Sequence, residues 1–521
     1  MRSGSEKIKP SVVLVADRTL SASYKILFEG IFATMQTTRV PAAAMRYFLA
    51  PPAPTDSAGR AMLAPLGLRR IESSLLASGF SLEEVVITTP EALDRVLGPW
   101  TKVVGVSSSD PLGYGMSNTT TTSFWGGELY TRFWMRQLLD KIGRVKRQFG
   151  YKVIAGGPGA WQWRAYPDET AERVIDTVFE GYFEAEGPGR IRGLMDGRLS
   201  ARHVVGPMPC VEQIRPIRGA SCMGVVELSR GCGRGCRFCA MARVPMIHLP
   251  PEIICEDLRI NRDAGVRAVV SGSEDFFRYG GSGVRPNVDA LCGLLEKMRA
   301  IEGLSFLQID HANISTVMQL SDVELRRIRG LMNWRQPTEF LWVNMGAESA
   351  NGRLVAANSG GKIAPLNPDQ WEDMIVGAGE KLTRTGFYGV FSLVLGLPGE
   401  TAEDIRRTQA LVDRLQAFRA VVFPIFYEPV DPAEIRAETR FGINTMRPEH
   451  LELYRKCYEI NFRNVPRLFW DNQRAGGVSW IKRALMRQLG KMEIATWRRQ
   501  FKAVSKRIAS RSEPERARYA V

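Results

Sequence analysis

Glu227-Leu-Ser-Arg230-Gly-Cys232-Gly-Arg-Gly-Cys236-Arg-Phe238-Cys239 is the stretch that decides the fold. Its three cysteines are spaced C-x3-C-x2-C within one glycine-rich loop. Three thiolates on so short a tether can hold three corners of a cubane iron–sulfur cluster and leave one iron open to an external ligand. Gly231, Gly233 and Gly235 let the backbone wrap closely around an inorganic core. Phe238 sets a ring beside the last cysteine, where it can pack on a bound purine. Zinc is the plainest competitor, but it takes four ligands, and no second C-x2-C pair or H-x3-H follows. A disulfide reading leaves one of the three cysteines unpaired.

Downstream, apolar strand-like runs alternate with helical patterns. Pro250 and Pro251 open a helix with Glu252, Glu256 and Asp257 in its early turns. Strands follow over Arg267–Val270, Ser305–Asp310, Leu341–Gly346, Tyr388–Leu395 and Val421–Ile425. Repeated βα units of this kind predict a partial parallel (β/α) barrel over residues 222–430, with its chemistry at the carboxyl ends of the strands. Gln308 and Asp310 share a strand face by period two, and His311 ends that strand. Those groups, with Tyr427 and Glu428, are candidates to line the barrel mouth, although His311 reads more simply as a hydrogen-bonded strand end.

The cysteine loop and three strand-end motifs resemble the radical S-adenosylmethionine (radical SAM) family. Gly272-Ser273-Glu274 stands where that family has Gly-Gly-Glu, a segment that contacts the methionine amino group of S-adenosylmethionine. Gly346-Ala-Glu348-Ser349 resembles its Gly-x-Glu-Ser segment, whose side chains reach the ribose and carboxylate. Gly396-Leu-Pro-Gly-Glu400-Thr401 matches its Gly-Leu-Pro-Gly-Glu-Thr turn, and Thr401 can cap the helix beginning at Ala402. The resemblance implies a [4Fe-4S] cluster on Cys232, Cys236 and Cys239, with S-adenosylmethionine on the open iron. It also implies cleavage to a 5′-deoxyadenosyl radical and an electron donor such as flavodoxin or ferredoxin.

Residues 1–205 read as a separate doubly wound, Rossmann-like α/β domain. Strands are expected at Val12–Ala16, Glu84–Thr88, Thr101–Ser107 and Lys152–Ala155, with helices at Leu66–Gly79 and Leu129–Phe149. A long polar loop is expected between Ser107 and Gly127. Pro65-Leu-Gly-Leu, Val103-Val-Gly-Val-Ser107, Val153-Ile-Ala-Gly-Gly-Pro158 and Val178-Phe-Glu-Gly-Tyr182 are similar to the cobalamin-binding domain that precedes many radical SAM domains. That similarity implies a cobalamin site using Gly156, Gly157, Ser107 and the loop carrying Tyr114, which either caps cobalt or lines the loop. The four histidines fall at 203, 248, 311 and 450, so the D-x-H-x-x-G motif that gives cobalt an imidazole is missing. A sheet of this fold that no longer binds cobalamin, and serves a substrate or partner instead, is the competing reading.

The family resemblance implies C-methylation of an unactivated carbon, with ring contraction, cyclisation or other rearrangement as the alternative. A methylthiotransferase would carry first-domain cysteines for a second cluster, but the first cysteine of this chain is Cys210. The substrate is expected to be a small molecule or a peptide. No apolar run approaches the ~20 residues needed to span a membrane, and clustered thiols suit a reducing compartment. A cytoplasmic location is therefore expected. The formal charge is +15, and the segment from Ile481 onward holds twelve Lys/Arg against three Asp/Glu. This helical region, residues 431–521, has no recognisable nucleic-acid motif. It reads either as a solvated helix packed on the body or as a docking surface.

Overall fold

A computed structural model describes residues 8–198, 201–336, 338–430 and 440–510. The chain forms two compact units. The first comprises residues 1–226 and 249–266, and the second comprises residues 227–248 and 267–521. The C-terminal helices Pro448–Ala475 and Trp480–Ala509 therefore belong to the second unit. The helix Pro251–Asp263 belongs to the first, where Asp257 pairs with Arg70 at 2.5 Å.

The first unit is built on six strands: β1 (Val12–Ala16), β2 (Val85–Thr88), β3 (Val103–Ser107), β4 (Lys152–Gly156), β5 (Thr177–Gly181) and β6 (His203–Gly206). Every pairing is parallel, in the order β2-β1-β3-β4-β5-β6. β1, β2 and β3 are buried along their whole length, as valine-rich strands covered on both faces must be. Period two sorts their side chains between two cores. Val13, Val15, Val104 and Val106 pack with Leu138 and Ile142 of the helix Tyr130–Phe149. Val12, Leu14 and Val85 pack with Leu68 and Leu75 of the helix Leu66–Ala77 and with Ile191. The strand order reverses direction next to β1, which opens a crevice at the carboxyl ends of β1 and β3.

One expectation fails in this unit. Residues Met116–Trp125, expected as loop, form a helix. Its run of threonines disfavours helix in isolation. Here the hydroxyls of Thr120 and Thr121 donate to the carbonyls of Met116 and Ser117 one turn back, at 2.8 and 3.0 Å.

In the second unit β7 (Ala268–Gly272) pairs in parallel with β8 (Phe306–Ile309). After Asp310 the chain continues as β9 (His311–Ala312), which joins a parallel sheet with β10 (Leu341–Glu348), β11 (Phe387–Leu395) and β12 (Ala420–Phe426). Helices Val288–Arg299, Asp322–Leu331, Trp371–Arg384 and Ala402–Leu415 alternate with these strands, giving the partial barrel the sequence predicts. Thr401 caps the last of these helices through a reciprocal pairing with Asp404. Among the described residues no helix is long and apolar enough to cross a membrane.

Candidate active site

The cysteine loop is held in shape by its own backbone. Cys232 N donates to Val244 O at 2.9 Å, and Gly235 N donates to Ala242 O at 2.9 Å. Gly231 has φ +76°, and a Cβ there would lie 2.2 Å from Pro245 O, so only glycine fits. Burial pushes all three thiols up, Cys239 to about 11. Metal binding must therefore displace protons from them. Among the described residues no three His, Cys, Asp or Glu side chains converge on a single ion-sized point. A mononuclear zinc site requires such convergence, whereas in a cubane each thiolate binds its own iron.

Arg234 fastens the loop to the barrel. Its guanidinium is almost fully buried and donates to Ser315 Oγ (3.0 Å), Gly361 O (3.1 Å), Ala364 O (2.9 Å), Asp275 Oδ2 (3.2 Å) and Thr316 Oγ1 (3.0 Å). Asp275, just after β7, also accepts from Thr316 Oγ1 at 2.7 Å and from Asn313 N at 3.2 Å. Arg278, 3.7 Å from Asp275, donates to Cys232 O at 2.6 Å. Two buried arginines thus share one carboxylate and position the loop that carries the thiols.

Around the thiols stand two charged groupings. Glu274 follows β7, and burial raises its carboxyl, with Asp310 adding to the effect. Burial opposes protonation of His311, but the adjacent Asp310 carboxylate, 3.0 Å away, wins and pushes the imidazole up to about 9. On the other side the Lys362 ammonium pairs with Glu348. Burial alone would lower Lys362, but Glu348 and the Cys236 and Cys232 thiols hold it above its ordinary value.

The remaining residues singled out in the sequence are placed as follows. Gly272 ends β7 and accepts from Leu228 N at 2.8 Å through its carbonyl. Ser273 is buried against Ser229, with their hydroxyls 2.5 Å apart. Ser349 is buried, and its hydroxyl lies 3.3 Å from Thr408 Oγ1 and accepts from Asn351 N. It braces the helix Ala402–Leu415 and is not grouped with Glu348 and Lys362. Phe238 is buried and meets Tyr427 edge-on at 6.2 Å. Gln308 is fully buried, and Glu428 lies 3.7 Å from Arg440. Gly396 N donates to Glu400 Oε2 at 2.9 Å. The same carboxylate oxygen is 2.7 Å from His450 Nε2, and His450 Nδ1 accepts from Arg447 N.

In the first unit the carboxyl ends of β1, β3 and β4 meet. Gly157 has φ +96°, and a Cβ there would lie 2.6 Å from Ser108 O and 2.7 Å from Ser107 Oγ. Gly156 ends β4, paired with Ser107. Ser108 Oγ donates to the buried Asp17 at 2.8 Å, and the buried Asp110 accepts from Gly115 N and Gln162 Nε2. Burial raises both carboxyls. Tyr114 is stacked on Tyr166 with ring centroids 3.9 Å apart.

A three-thiol loop packed on a partial parallel barrel, with carboxylates at the strand ends, defines a radical SAM enzyme. Residues 226–412 match the model of the radical SAM superfamily. Ribosomal protein uS12 methylthiotransferase RimO of Trichlorobacter lovleyi is 23% identical over 241 residues, covering 46% of this chain and 50% of that protein. The chain therefore spans half the length of that curated relative. The radical S-adenosylmethionine methyltransferase TsrM of Kitasatospora setae, solved with cobalamin and a [4Fe-4S] cluster, shares the fold. It matches at TM-score 0.52 and 14% identity, over 81% of this chain and 77% of its own. A second TsrM structure, with tryptophan substrate and the SAM analogue aza-SAM, matches at the same TM-score and identity, over 81% of this chain and 75% of that one.

Proposed function

We propose that the chain is a cobalamin-dependent radical SAM methyltransferase that places a methyl group on an unactivated carbon of a small molecule or peptide. The observation that carries this reading is the pairing, in one chain, of the three-thiol loop with an all-parallel sheet of order β2-β1-β3-β4-β5-β6. The fold likeness to TsrM over 81% of the chain supports it. The groups that would hold the cofactors fit them. Cys232, Cys236 and Cys239 are three soft donors on one loop. Glu274 and the Glu348–Lys362 pair offer partners of both signs to the amino and carboxylate groups of S-adenosylmethionine. The close approach of Gly157 to Ser107 and Ser108 leaves a side-chain-free turn at the crevice of the first unit, the usual ligand position in such sheets.

When bound, the cluster with S-adenosylmethionine supplies one-electron cleavage to a carbon radical, and cobalamin supplies the methyl group. The protein's residues bind, orient and keep water out. Arg234 and Arg278 fix the thiol loop, Glu400 fixes the Gly396 turn, and Phe238 and Tyr427 give the site an apolar wall. The one histidine of the first unit, His203, lies at the start of β6, at the amino end of the strand, so the crevice at the carboxyl ends would offer a bound cobalamin no imidazole.

The test is the metal content of protein purified without oxygen from cells supplied with cobalamin, followed by methyl transfer from labelled S-adenosylmethionine. About four iron atoms and one cobalt per chain are expected, one cubane and one corrin. Cys236→Ser should lose the cluster and all cleavage of S-adenosylmethionine. Iron without cobalt would remove cobalamin from the reading, and zinc in place of iron would overturn it.

A further inference from the structure

The helix Trp480–Ala509 is held on the second unit by one ridge: Met486, Trp497, Phe501, Val504 and Ile508, all buried. Arg483 and Arg487 add to this anchorage, their guanidinium carbons 4.7 and 5.6 Å from the Trp470 ring centre. The opposite side of its first half faces solvent. There Ile481 is 57% exposed, Leu485 52%, Leu489 43% and Met492 59%, and Trp480, the first residue of the helix, is 69% exposed on its flank. Ile481, Leu485, Leu489 and Met492 recur at helical spacing, so they form one stripe about 17 Å long at 1.5 Å per residue. Among the described residues these five make up five of the eleven large hydrophobic side chains that are exposed. Scattered exposed apolar residues need no explanation, but a contiguous stripe does.

The charge around the stripe narrows what covers it. The helix holds nine Lys/Arg and one acidic residue, Glu493, a net of +8. A second copy laid along the same stripe would oppose two strongly basic helices, so self-association is disfavoured. A partner that wraps a basic amphipathic helix needs access around it, and here the opposite ridge is seated on the body. A flat anionic surface needs only the one free face. It accepts the apolar stripe among its acyl chains and pairs Lys491, Arg499 and Lys502 with acidic headgroups.

We infer that this helix is a peripheral docking surface for an anionic lipid bilayer, lying in the membrane plane with Trp480, Ile481, Leu485, Leu489 and Met492 inserted. The full-length protein should sediment with vesicles of equimolar phosphatidylglycerol and phosphatidylcholine about tenfold or more better than with phosphatidylcholine alone, and less so as salt rises. L485E/L489E, and the milder L485Q/L489Q, should abolish or sharply weaken that binding while the circular dichroism and unfolding temperature stay at wild-type values. Either of two results would overturn the inference: no preference for the anionic vesicles, or binding that both double variants retain. A doubled molar mass in solution that L485Q/L489Q returns to monomer would replace it with self-association. Stoichiometric binding of an acidic protein such as flavodoxin, abolished by the same variants when vesicles are not bound, would replace it with a protein partner.

Discussion

Replacing Arg234 with alanine tests whether the cysteine loop is positioned from within the barrel. The side chain makes six hydrogen bonds, to Ser315, Gly361, Lys362, Ala364, Asp275 and Thr316. Its removal leaves Asp275, only 1% exposed, to Thr316, Asn313 N and the more distant Arg278. Breaking a buried charge pair by deleting one partner costs about 3–5 kcal/mol. The backbone bond from Gly361 N to Arg234 O survives, so the lower part of that range, about 3–4 kcal/mol, is expected. For a unit of this size that is a fall of roughly 8 °C in its unfolding temperature. Cluster loading should fall as well, because Gly233 and Gly235 then flank a position with no anchor, and the loop keeps only the Arg278 contact to Cys232 O from this arginine pair. Arg234→Lys should recover only part of the loss, since an ammonium cannot fork to six acceptors. The decisive measurement is a double-mutant cycle with Asp275→Asn, read by calorimetry and by iron content after anaerobic reconstitution. Strong coupling, on the order of 2 kcal/mol, is expected. Additive effects, or R234A with full iron and unchanged melting, would refute the tether.

The other expectations concern charge and close approach. In the cluster-free protein His311 should titrate near 9 by NMR, and Asp310→Asn should bring it back toward its ordinary range. Because the folded value lies above the unfolded one, the contribution of His311 to stability is complete below about pH 6.5 and is lost as pH rises through about 9. Lys362→Met should destabilise the second unit by about 3–5 kcal/mol by leaving the buried Glu348 unpaired, and should weaken binding of S-adenosylmethionine measured by calorimetry. Gly157→Ala meets Ser108 O at 2.6 Å with φ at +96°, so cobalt content should drop while iron content stays at the wild-type level.

What the sequence made legible was local. C-x3-C-x2-C is a short-range pattern, and the valine-rich strands declare themselves within five residues. The lock on the cysteine loop was not legible, because Asp275, Ser315 and Gly361 lie 41, 81 and 127 residues from Arg234. Lys362 follows Gly360 and Gly361 in a connection with no motif, and only the fold brings it to Glu348. The segment from Gly346 to Glu348 departs from regular strand geometry. The pairing of β10 with β11 shifts register between Gly346 and Glu348, and Glu348 takes φ +60°. The side chains there no longer alternate as period two predicts. The threonine helix Met116–Trp125 was hidden by its composition, which argues for loop until the hydroxyls are seen bonding back to the preceding turn.

The Gly396 turn has a wider consequence through Glu400 and His450. The oxygen that receives the Gly396 amide also contacts a histidine fifty positions later, on the first turn of the helix Pro448–Ala475. The tail of the chain is thus wired into the strand-end turn of the barrel. Exchanging that tail between relatives would be neutral for the barrel only where the incoming segment brings its own partner for Glu400. Otherwise a swap made far from the thiols would loosen the turn at Gly396. Chimaeras of this chain should accordingly be joined before the Gly396 turn or after the first turn of that helix.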